Sequence, residues 1–265
     1  RQLIVVTIKG VSVGVPNAAT GEQSLPTWSA VLTSLRARFA QRLQGVATEL
    51  DLLGNAFENG SEYLIEAATL IRETVGVGDY REAVVDLTTP FAGARSELHD
   101  LIEELDPLGI VTFNYDLGHE NAHQVAHHGA GGMRSALYSD DRRLRKVIAG
   151  DFESRFLLKA HGCGSRPRSI VLDRASYRDI MSRRLGYRAF VQHVLARFNA
   201  LIVGFGLNDP DFDDLLQTFD LNFGGGIRDH VYIWKRGQRP DEEARAAVLR
   251  RRSGLAGIFV DQFDD

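Results

Sequence analysis

Gly109-Ile110-Val111-Thr112-Phe113-Asn114-Tyr115-Asp116 is the stretch on which the fold turns. A short β-branched apolar run reads as a strand buried on both faces, and its polar end places Asn114 and Asp116 where the strand stops. The same arrangement recurs outward in both directions. Toward the carboxyl end, Arg155–Ala160 is a strand running into His161-Gly162, and Ala200–Val203 runs into Gly204-Phe205-Gly206. Ser169–Leu172, capped by Asp173, Val231–Trp234 and Ala256–Val260 read as further strands. Toward the amino end, Leu3–Val6 feeds a turn carrying Gly10 and Gly14.

Helical periodicity fills the intervals. Trp28, Val31, Leu32, Leu35, Phe39 and Leu43 mark one helix, with Thr27 as its N-cap. Leu98, Leu101, Ile102 and Leu105 mark another. Helices are also expected over Leu117–Val125, Arg174–Arg183, Gly186–Phe198, Asp209–Leu221 and Glu242–Arg252. From 46 to 108 the patterns are helical without a strand, and 126–150 reads as an irregular insertion or mobile region. Apolar strands alternating with helices put the chain in the α/β class, a parallel sheet with helices on both faces. A single domain over 1–265 is expected.

Composition narrows the function classes. The chain has 265 residues, a net charge of −4, 44% hydrophobic and 25% charged residues. That balance suits a soluble globular protein and gives no global electrostatic case for nucleic-acid binding. The basic run Arg142-Arg143-Leu144-Arg145-Lys146 follows Asp140-Asp141 and reads as a solvated helix face. Cys163 is the only cysteine, so no intramolecular disulfide and no four-cysteine zinc ribbon can form, and a reducing cytoplasmic location fits. No secretory signal and no membrane span are expected. A start on a strand residue rather than Met reads as a trimmed or partial chain.

Chemistry in such a sheet gathers at the carboxyl ends of the strands. Four clusters occupy those ends: Gly10-Val11-Ser12, Asn114-Tyr115-Asp116, His161-Gly162, and Gly204-Phe205-Gly206-Leu207-Asn208-Asp209. Each alone has an ordinary explanation. Gly10 and Gly14 suit a tight turn, Asn114 suits a helix cap, His161 suits a buried structural histidine, and Gly204 with Gly206 suits close backbone packing.

Together, and in this order, they resemble the sirtuin-like NAD-binding family, and within it the bacterial sirtuin-like domains of antiphage defence systems. The matching pieces are Gly10-Val11-Ser12-Val13-Gly14-Val15-Pro16, Pro26-Thr27-Trp28, Thr112-Phe113-Asn114-Tyr115-Asp116, Lys159-Ala160-His161-Gly162, Tyr177, and Gly204 to Phe212. The resemblance implies a Rossmann-like sheet with a helical lobe over 46–108. It implies NAD as substrate, with Asn114 holding a water near the nicotinamide ribose and His161 acting as base or orienting the ribose hydroxyls. Gly10 and Ser12 would lie against the phosphates. Asp116 would support Asn114 or meet the ribose. Gly204, Gly206, Asn208 and Asp209 would lie along the adenosine half.

Cleaving an N-glycosidic bond builds oxocarbenium-like charge on the ribose, which a placed water and a nearby polar group assist. No metal is required or expected. The implied activity is NAD hydrolysis to ADP-ribose and nicotinamide by a defence effector, with a partner or sensor protein and homo-oligomers. Two departures qualify the match. Ile8 and Lys9 stand where the family carries its first glycine and a small residue, so that Ile8 blocks close approach or Lys9 contacts phosphate. This keeps open a non-catalytic NAD or ADP-ribose binding module. The zinc cysteines of protein deacylases are absent, which disfavours acyl-lysine and favours water as acceptor.

Other polar groups read more plainly. His119, His123, His127 and His128 invite a metal reading, since 119 and 123 are four apart and share a helix face, but no acidic or cysteine ligand stands at a fixed spacing, and surface or cleft histidines are the plainer reading. Glu120 and Asn121 touch the cleft or, as the plainer reading, lie on a helix surface. Asp209, Asp211, Asp213 and Asp214 suit a helix start, and Cys163 lacks the oxyanion loop a Cys–His nucleophile would need.

Overall fold

The computed structural model describes residues 3–12, 14–16, 25–56, 61–90, 92–129, 133, 135–151, 155–204, 230–237 and 241–261. Its strands are β1 (Leu3–Thr7), β2 (Gly109–Thr112), β3 (Ser135–Leu137), β4 (Phe156–Lys159), β5 (Asn199–Val203), β6 (His230–Lys235) and β7 (Leu255–Val260). All pair in parallel, in the order β3-β4-β2-β1-β5-β6-β7. The α-helices among the described residues are α1 (Trp28–Arg38), α2 (Ala47–Asn55), α3 (Ser61–Val75), α4 (Val77–Thr88), α5 (Glu97–Glu104), α6 (Gly118–Ala126), α7 (Asp141–Ile148), α8 (Arg174–Arg178), which a π-helical turn Asp179–Arg183 continues, α9 (Leu185–Arg197) and α10 (Glu242–Ser253).

Alternation along the strands sorts two cores. Ile4, Val6, Val111, Leu158 and Ile202 face one way, onto Leu32 of α1, Ala68 of α3, Val84 of α4 and Phe190 of α9. Val5, Ile110, Leu157 and Val203 face the other way, onto Ile102 of α5. Strands covered on both sides explain their unbroken apolar character. The chain leaves β1 for β2 on one side and later crosses from β4 to β5 on the other. The sheet order therefore reverses between β1 and β5, and the ligand crevice of such a sheet lies outside that switch point.

Two expectations are corrected. Ser169–Leu172 is no strand: a 3₁₀ turn covers Pro167–Ser169, and Ile170–Leu172 joins no ladder. Ile170, Val171 and Leu172 are apolar because they are buried, but Val171 is tied to loops. Its N–H donates to His161 O at 3.0 Å, and its carbonyl accepts the Tyr115 hydroxyl at 2.6 Å. The stretch 126–150 is not irregular throughout, since it holds the edge strand β3 and helix α7. Only Leu144 and Val147 of α7 are buried, so its apolar signal is two residues wide, while the basic run lies on the solvated face as read. Asp140 caps α7 by accepting Arg143 N–H.

Smaller boundaries shift too. Thr27 caps α1 as expected, through Ala30 N–H, but the helix stops at Arg38 and Phe39–Leu43 turns. The expected helix Asp209–Leu221 lies outside the described residues. No described helix is long and apolar enough to cross a membrane.

Candidate active site

The ends of β1, β2 and β4 bring Ser12, Asn114, Asp116 and His161 around one pocket, walled by Ile8, Trp28, Phe113 and Tyr115. Ser12 sits in a 3₁₀ turn, Lys9–Ser12, directly after β1. Its hydroxyl lies 2.6 Å from Asp116 Oδ2 and 2.7 Å from Asn114 Nδ2. The other carboxylate oxygen, Oδ1, accepts Gly118 N–H at 2.8 Å and so tethers the start of α6. Asp116, not Asn114, therefore serves that helix start.

Asp116 is buried, which pulls its pKa upward. His99 beside it, the Lys159 ammonium, the Ser12 hydroxyl and the Gly118 amide together outweigh burial and hold it below its ordinary value. The carboxylate is ionised and can only accept. Ser12 then spends its single proton on Asp116 and must accept from Asn114. That fixes the Asn114 amide with Nδ2 toward Ser12 and leaves Oδ1 as an acceptor for a further ligand.

His161 follows β4 and is 3% exposed. Its ring meets Phe113 edge-on at 4.8 Å and Tyr177 at 5.4 Å, and Tyr177 meets Trp28 at 5.9 Å. Two aromatic rings thus pack edge-on against the imidazole. Gly162 follows at φ +93°, where a Cβ would lie 2.1 Å from Ser169 O, so only glycine lets this turn close.

Gly10 and Gly204 meet at the switch point. Gly10 N–H donates to Gly204 O at 3.2 Å, and a Cβ on Gly10 would lie 2.7 Å from Gly204 Cα. Backbone packing thus accounts for both glycines and binds the loop after β1 to the loop after β5. Gly206, Asn208 and Asp209 lie outside the described residues.

The family model described as a SIR2-like domain matches residues 109–255, more than half of the chain. The chain belongs to the SIR2-like family. Among curated proteins, none matches it. SIR2-like domains use NAD. The matched residues run from the first residue of β2 to the first of β7, and so take in Asn114, Asp116, His161 and Gly204. Gly10 and Ser12 lie before it.

Behind the pocket of this SIR2-like domain lies a buried polar layer. Lys159, 1% exposed, donates to Asp116 O and pairs with Glu120 Oε2 at 3.2 Å. His99 Nδ1 lies 2.7 Å from Ser96 Oγ, which donates to Val11 O. His99 Nε2 lies 3.7 Å from Asp116 Oδ1, and its ring meets His119 at 4.6 Å. His119 Nε2 lies 2.9 Å from Thr7 Oγ1. Burial lowers the pKa of both histidines, of His119 strongly, so both are neutral at neutral pH.

Sequence reasoning gave no role to Ser96, His99 or Thr7, and read Glu120 as surface. The one local trace is Ser96-x-x-His99 at the start of α5, a spacing that returns a side chain to the first turn. His119 and His123 diverge, since His119 points inward to Thr7 while His123 Nδ1 meets Glu103 Oε1 at 2.9 Å.

Proposed function

We propose that this SIR2-like domain is an NAD glycohydrolase that breaks the nicotinamide–ribose bond. The observation that carries the reading is the Asp116–Ser12–Asn114 chain, which leaves Asn114 Oδ1 as an acceptor in a pocket shared with His161. In the proposed step the bond between ribose C1′ and the pyridinium nitrogen breaks. Its electron pair goes to nicotinamide, and positive charge grows on the ribose. A water held by Asn114 Oδ1 forms the new bond to C1′. His161 takes the proton, an imidazole being able to do so near neutral pH. The products are nicotinamide, ADP-ribose and one proton.

The lack of zinc cysteines supports water rather than acyl-lysine as acceptor. The resemblance to antiphage-defence sirtuin-like domains supports a role as an effector that depletes NAD, held in check by a partner or sensor and working as a homo-oligomer. Ile8 favours a second reading. Its buried side chain walls the pocket where the family pattern carries glycine, which suits binding of NAD or ADP-ribose without turnover.

Incubation of the protein with NAD, followed by chromatography of the products, separates the two. Nicotinamide and ADP-ribose in equal amounts, both lost in Asn114→Ala and His161→Ala, support the hydrolase. Tight binding of NAD without product, in every oligomeric state sampled, contradicts it.

A further inference from the structure

We propose that Glu103, His123 and His127 form a site for a divalent transition metal of the zinc class, clamping α5 to α6. His123 Nδ1 lies 2.9 Å and His127 Nε2 lies 3.2 Å from the same oxygen, Glu103 Oε1. All three atoms fall within 4.8 Å of one another. Zinc holds nitrogen and oxygen ligands at about 2.0 to 2.2 Å, which separates them by about 3.3 to 3.5 Å in a tetrahedron. Side-chain shifts on the order of one ångström bring these three to that spacing.

The donor set is two imidazoles and one carboxylate, chemistry that suits zinc and its neighbours over magnesium or calcium. The histidines are four residues apart, on one face at the end of α6. The carboxylate is oriented from behind, because Arg155 Nη1 donates to Glu103 Oε2 at 2.6 Å. Such an outer partner fixes a ligand and tunes its affinity. Arg155 also pairs with Asp106, which offsets its charge. The Glu103 side chain is 5% exposed and that of His127 is 50% exposed, so the carboxylate is held inside while the cluster is open to solvent on the His127 side. The proposed hydrolysis uses none of these residues. Their place is the far end of α6 from Asp116, where an ion would pin the helix whose first turn that carboxylate tethers.

The test titrates zinc alone into the chelator-dialysed protein, following heat and melting temperature. One zinc per chain is expected, with Tm raised by roughly 5 °C or more at about a hundredfold excess over Kd. His127→Ala, at a half-exposed position that tolerates truncation, and His123→Ala should each weaken binding by about tenfold or more. No binding and no Tm shift would overturn the site. So would zinc binding of undiminished affinity in His127→Ala.

Discussion

Ser12 has one proton, and the charge on Asp116 decides where it goes. Asp116→Asn removes that charge, so Ser12 is free to turn its proton to Asn114 and the amide loses its fixed orientation. The expected outcome is a kcat for nicotinamide release lower by roughly 10- to 100-fold, with KM and the folded far-UV spectrum nearly unchanged. A proportional rise in KM instead would show that Asp116 binds substrate directly. The residue scale also carries a stability prediction. Gly162→Ala places a methyl 2.1 Å from Ser169 O at φ +93°, and should cost about 3 kcal/mol or more in denaturant unfolding. The place of Asn114 and His161 just past strand ends was legible in the sequence, because each follows an apolar run. The Ser12–Asp116 contact was not, since 104 residues separate its partners and no local pattern records which way a hydroxyl donates.

At the scale of elements, strands were read well where burial on both faces gave unbroken apolar runs. They were misread where burial had another cause. Ile170–Leu172 is apolar because it underlies the Tyr115 and His161 loops, and nothing in its composition separates a buried loop from a buried strand. Helix α7 was hidden by the narrowness of its buried stripe, and β3 by its three-residue length at the sheet edge. The seam between the loops after β1 and β5 depends on the absence of two side chains. Gly10→Ala is expected to cost about 2 kcal/mol or more and to lower Tm measurably, because the contact it strikes is backbone. An unchanged Tm would mean the two loops are free to part.

For the whole molecule, the buried histidines behind the pocket set the response to acid. His99 and His119 have folded pKa values lowered from the ordinary 6.5, chiefly by burial. Below about pH 6.5 the unfolded chain takes up protons that the folded chain refuses, so stability is full above that value and falls as pH drops. The slope approaches about 1.4 kcal/mol per pH unit for each histidine. Asp116, held below its ordinary 3.8, adds stability present above that pH and lost as pH falls through its folded value. Thermal melts should therefore show Tm falling between about pH 7 and pH 5, with a shallower fall in His119→Gln. A Tm that stays flat over that range would contradict neutral burial of the pair. The α/β class was legible in the sequence from strand–helix alternation alone. The buried polar layer was not, because its members come from β1, α5, α6 and β4 and meet only after folding.

The most direct test of the proposed chemistry is a crystal structure of Asn114→Ala soaked with NAD, in which cleavage is slowed and the dinucleotide stays whole. The nicotinamide ribose is predicted beside Asp116 with C1′ within about 4 Å of the His161 ring, leaving room for a water on the Asn114 side, and the diphosphate toward Gly10 and Ser12. A dinucleotide bound with its nicotinamide end away from His161, and the pocket between Ser12 and Phe113 unentered, would contradict the assignment of this pocket as the place where NAD is cleaved.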